Sequence, residues 1–170
     1  LDSKRVFFVA SLIGIQFFSG VAFAEEPRAS NFLGLSIGFY NVLDGDQQSQ
    51  DIRLEYRHGT AFFEKLPVKP WVGILGTTDG SFWGGGGLYY DFTLNERWAV
   101  TPSLGVGLYT DGSNDVDLGH PIEFRSQIEV SYKLRNEDKL ALSFSHFSNA
   151  GLGDTNTGVE SLSLHYFKSL

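Results

Sequence analysis

The chain contains no cysteine, so neither a disulfide framework nor a thiolate metal site is open to it. It has no long basic run and no acidic tail, and its formal charge of −7 argues against nucleic acid as a partner. After the first two dozen residues no apolar stretch approaches the ~18 residues of a spanning helix. No segment stands out with the 3.6-residue periodicity of an amphipathic helix. The glycine run 84–87 is not followed by the Lys and Ser/Thr of a phosphate-binding loop; it reads as a strand that bends sharply or leaves room for a neighbour. No His, Asp or Glu set has convincing metal spacing, and Asp44, Asp46, Asp111 and Asp115 read as loop-solvating residues. No cofactor or metal is expected.

Aromatics and glycine are plentiful: 15 Phe, 7 Tyr, 3 Trp and 20 Gly in 170 residues. That pairing suits β-structure with tight corners, and the length suits one domain. Residues 1–24 read as an export signal. Lys4 and Arg5 form the positive region, 6–18 is apolar but too short to span, and Ala22-Phe23-Ala24 fits the cleavage pattern. Residues 25–170 are then the mature, exported domain.

From residue 31 onward, strand-like segments follow one another at 31–40, 51–57, 68–78, 81–92, 97–109, 121–134, 140–149 and 158–166. Most alternate with period 2. In the second, Ile52, Leu54 and Tyr56 oppose Asp51, Arg53, Glu55 and Arg57. In the fifth, Trp98, Val100, Leu104, Val106 and Leu108 oppose Thr101, Ser103, Gly105 and Gly107. In the sixth, an apolar set from Ile122 to Leu134 opposes Glu123, Arg125, Gln127 and Glu129. Loops alternate long and short, although 59–67 is longer than such a pattern wants. A soluble sandwich or a lipocalin-like barrel would alternate in the same way. Two features favour a membrane barrel: mixed charges on the polar faces that could neutralise one another in a narrow lumen, and aromatics near the ends of the apolar faces (Phe39, Tyr56, Trp98, Tyr132, Tyr166). The expected fold is all-β, an eight-stranded antiparallel transmembrane β-barrel in a bacterial outer membrane. The last residue, Leu170, departs from the terminal aromatic usual in such barrels.

The final hairpin carries the chemistry. On its first arm Leu140, Leu142, Phe144, His146 and Ser148 share a face; on its second, Glu160, Leu162, Leu164 and Tyr166 do. Both apolar faces become reactive at the same end, beside the loop 149–157. His146 and Ser148, at i and i+2, stand roughly 6–7 Å apart on one side of a strand, and Glu160 can approach from the neighbouring strand. Counting strands from an N-terminus on the periplasmic side puts this end outside the cell, facing lipid in the outer leaflet. Nucleophile, base and orienter is one reading of the set; a polar cluster at headgroup level is the other. Asn149 is either a donor toward a developing oxyanion or a turn-forming residue. His165, on the opposite parity, is expected in the lumen, and His58 and His120 at the surface.

The segment His146-Phe147-Ser148-Asn149-Ala150-Gly151, with Glu160 fourteen residues after the histidine, resembles the outer-membrane lipid A 3-O-deacylase family (PagL), whose pattern is His-x-Ser-Asn followed by that Glu. The motif covers the last quarter of the chain; the export signal, mature length and strand count fit the whole. The resemblance implies an outer-surface triad of Ser148 as nucleophile, His146 as general base and Glu160 as orienter, with Asn149 and the Gly151 amide as oxyanion donors. It implies lipid A of lipopolysaccharide as substrate, outer-membrane lipid as surroundings and no cofactor. A homodimer is compatible with such a barrel. An outer-membrane phospholipase is the enzyme alternative; that resemblance would bring a larger barrel, Asn in place of Glu160 and a calcium requirement. A structural or adhesion barrel is the non-enzyme alternative.

Overall fold

In the computed structural model, residues 30–44, 48–63, 65–112 and 116–170 are described; the expected export signal lies outside them. The strands are β1 (Phe32–Tyr40), β2 (Ser49–Arg57), β3 (Lys69–Thr77), β4 (Phe82–Tyr89), β5 (Phe92–Thr93), β6 (Trp98–Thr110), β7 (Ile122–Lys133), β8 (Lys139–Ser148) and β9 (Val159–Ser169). Apart from β4 and β5, neighbours in sequence pair antiparallel; β1 pairs β9, and β4 and β5 both pair β6. The β4 and β5 segments meet successive stretches of one partner, so they are a single barrel strand interrupted at Tyr90 and Asp91. The sheet therefore closes as an eight-stranded antiparallel barrel, as the sequence predicts. Closure removes the edges that a bilayer could not satisfy.

Parity sets the two faces. Along β2, Asp51, Arg53, Glu55 and Arg57 are buried inward while Ile52 and Leu54 are exposed outward. Along β7, Glu123, Arg125, Gln127 and Glu129 are buried and Ile122, Phe124, Ile128 and Val130 exposed. The outer surface is thus an apolar belt of the kind lipid covers, with Phe39, Trp98 and Tyr166 near its margins.

The lumen is packed. Arg57 bridges Glu55 at 2.7 Å and Glu129 at 2.7 Å, Arg125 meets Glu55 at 2.9 Å, and Arg53 meets Asp51 at 2.9 Å. Glu123 is the exception to the expected neutralisation: its wholly buried carboxylate has no partner among the described residues. His165 is buried inside, bonded to Ser143 Oγ at 2.7 Å and stacked on Phe167, as its parity predicts.

The glycine run turns out to leave room for a neighbour. Trp71 and Trp83 stack at 6.0 Å inside the barrel, and Arg125 lies 3.6 Å over the Trp71 ring. A Cβ on Gly105 would stand 2.4 Å from the Trp71 ring, and one on Gly107 2.6 Å from Trp83. On β4, Gly85 and Gly87 leave no space for a Cβ against the β6 backbone. Two indoles fill one side of the lumen because the wall beside them carries no side chains.

Candidate active site

The upper end of the barrel is the one bearing residues 149–158. There β8 and β9 pair so that His146 is directly opposite Glu160. Both side chains project from the outer face, above Leu142, Phe144, Leu162 and Leu164. His146 Nδ1 lies 3.0 Å from Glu160 Oε1, with both groups half-buried. An ionised carboxylate can only accept, so toward one the Nδ1 must donate, and a neutral imidazole in that tautomer keeps its lone pair on Nε2. Ser148 ends β8 on the same face, beside Phe124 of β7. Its hydroxyl is not hydrogen-bonded to the imidazole. The hairpin thus brings His146, Ser148 and Glu160 to one patch of outward-facing surface at the upper rim. It can hold an imidazole in one tautomer beside a hydroxyl.

Asn149 and Gly151 are placed differently from expectation. Parity turns Asn149 inward, where it is wholly buried. Its Nδ2 donates to Leu118 O at 2.8 Å and to Thr155 O at 2.7 Å, and its Oδ1 accepts the Gly151 N–H at 2.8 Å. The Asn149 amide hydrogens and the Gly151 N–H are therefore already given within the loop, so neither group is available to an oxyanion as the loop stands. Ala150 and Gly151 both have left-handed φ, 55° and 82°, which tightens the turn that Asn149 anchors.

Sequence reasoning missed the brace behind this loop. Residues 116–118, ahead of β7, pack in over the lumen, with Val116 and Leu118 buried. Tyr109 Oη donates to Val116 O at 2.8 Å. Leu118 O then receives the Asn149 amide, so one upper loop supports the other. The spacing of two apolar residues in an otherwise polar loop was the available signal. His120 caps the same connection, accepting the Ile122 N–H at 3.0 Å, and His58 is exposed. No group of three or more potential metal-ligating His, Asp or Glu side chains occurs among the described residues.

The chain is similar to known proteins. The family described as Lipid A 3-O-deacylase (PagL) matches residues 50–169. A lipid A deacylase PagL of Bordetella bronchiseptica is 29% identical over 72 residues, 42% of this chain and 40% of that one. A lipid A deacylase PagL of Pseudomonas aeruginosa is 38% identical over 68 residues, 39% of each. The chain thus aligns with about two fifths of the length of these curated relatives. Among solved structures, the outer membrane enzyme PagL superposes with a TM-score of 0.62 at 20% identity, covering 82% of this chain and 99% of that one. Neisserial surface protein A gives 0.60 at 12% identity, covering 82% and 97%. Those two likenesses speak to the barrel; the family match spans most of the chain, including the His-x-Ser-Asn segment and Glu160, and the chain belongs to the lipid A 3-O-deacylase (PagL) family.

Proposed function

We propose that this protein is an outer-membrane esterase that removes the 3-O-linked acyl chain of lipid A in lipopolysaccharide. The observation that carries the reading is the 3.0 Å His146–Glu160 pair, beside Ser148, on the bilayer-facing surface. Leaving an acid and an imidazole on a lipid-facing rim is costly, and a mutually bonded set with a nucleophile beside it has a chemical use. With the upper end outside the cell, the patch lies in the outer leaflet, where lipid A reaches it by lateral diffusion.

Ser148 Oγ attacks the ester carbonyl carbon while His146 Nε2 takes its proton, and Glu160 holds the imidazolium that forms. The tetrahedral intermediate collapses with loss of the sugar oxygen, which receives the proton from His146, and leaves an acyl-serine. Water, deprotonated by the same imidazole, releases the fatty acid and restores Ser148. Oxyanion stabilisation by Asn149 or Gly151 requires their loop bonds to be exchanged as substrate arrives. Ser148→Ala is expected to abolish the loss of one hydroxyacyl chain in lipid A mass spectra of expressing cells. If the S148A spectrum still shows that loss, the assignment fails. Chelation of calcium should leave the wild-type rate unchanged, whereas a phospholipase of the calcium-requiring type would stop.

A further inference from the structure

We infer that Gly158 is a positioning residue for this site: the bare backbone there is what allows the His146 imidazole to lie where it meets Glu160. The inference rests on the triad reading above. A Cβ built on Gly158 would stand 2.5 Å from His146 Cε1, 3.3 Å from Nε2 and 3.5 Å from Nδ1. The imidazole edge between its two nitrogens thus rests directly on the glycine. One step beyond the last paired residues, Phe147 and Val159, Gly158 comes opposite Ser148. The histidine therefore leans from the Glu160 side toward the serine end of the hairpin, over the position where no side chain intervenes.

Neither backbone nor burial demands glycine there. Gly119 and Gly151 have φ of +80° and +82°, whereas Gly158 lies outside the left-handed region and is exposed. Its requirement is for space alone. A methyl group would force the ring back by about 1 Å, a displacement that in other sites costs on the order of a hundredfold in rate. Because Nδ1 is tied to Glu160 from the adjacent register position, the ring cannot retreat and keep that bond unless the carboxylate follows.

The test uses the full-length folded chain with lipopolysaccharide, comparing Gly158→Ala and Gly158→Val with wild type. The readouts are heat-modifiable gel mobility, kcat and KM for deacylation, and the His146 Cε1–H nuclear magnetic resonance. G158A is expected to fold as wild type and keep its KM, to lose about a hundredfold in kcat, and to shift the His146 resonance; G158V should lose more. The control is Gly76→Ala, where a new Cβ meets nothing nearer than 4.0 Å, with kcat and resonance unchanged. A wild-type kcat with an unshifted resonance overturns the inference and leaves the triad standing. A G158A chain that never reaches the folded band also overturns it, because the backbone must tolerate a side chain. Deacylation by S148A would overturn the triad reading instead, whatever G158A does.

Discussion

The bond between His146 and Glu160 at the upper rim tells what the loss of the carboxylate should do. Glu160 contributes a carboxylate to His146 Nδ1 at 3.0 Å. Glu160→Gln keeps the shape but offers an amide that can present either a donor or an acceptor, so the tautomer is no longer enforced. The expected result is a fall in kcat of about 10²–10⁴ with little change in KM, read from initial rates of fatty-acid release. The histidine and serine were legible from the sequence because a strand keeps i and i+2 on one side. The inward turn of Asn149 was not. One step further along, parity reverses, and its amide went into the loop to bond Leu118 O and Thr155 O. Whether a side chain at a strand end continues the ladder or anchors a turn depends here on carbonyls in two loops, one of them, Leu118 O, 31 residues away, which local pattern cannot supply.

At the level of elements, the strands followed from period-2 alternation, and their ends agree with the sequence expectation to within a few residues. The fourth was expected to run unbroken over 81–92; it stops at Tyr89 and resumes at Phe92. Asp91 between them accepts from Thr101 Oγ1 at 2.7 Å and lies near Lys69 and Lys139. The register is the same on both sides of the gap, and the residue opposite Tyr90 is Pro102, which accepts the Tyr90 N–H at 3.1 Å but has no N–H to return. The glycine wall makes a sharper claim. Gly105→Val places a branched side chain where even a Cβ would stand 2.4 Å from the Trp71 ring and 2.9 Å from Gly86 O. Neither indole nor ladder can yield that much in a filled lumen. The G105V chain is expected to give no folded, heat-modifiable band after refolding into detergent, whereas the smaller G76A change should refold normally.

For the whole molecule, the ion network and the proposed triad occupy opposite faces of one wall. The lumen holds an ion network with Arg57 at its centre, between Glu55 and Glu129 and 4.0 Å from the Phe167 ring centroid. Arg57→Ala would leave Glu129 buried without its cation, a loss of about 3–5 kcal/mol. It should appear as a lower urea midpoint for unfolding from detergent. The activity of the molecules that remain folded should be unchanged, since the triad projects from the other side of the barrel. A parallel loss of kcat in folded R57A would show that the network inside positions the site outside, contrary to this separation.

What the sequence determined alone is everything that depends on parity: eight strands, an apolar outside and a charged inside, and a serine, histidine and glutamate on one outward face. Two-residue periodicity is a local property, and closing a sheet leaves it intact. The tertiary structure decided what depends on meetings between distant strands and loops. It chose which acid each arginine holds, left Glu123 without a partner, and gave the glycine wall two indoles to receive. It also spent Asn149 on a brace and set Gly158 under the imidazole. Those outcomes turn on ångström-scale separations between segments far apart in the chain, and they are fixed only once the register around the closed barrel is complete.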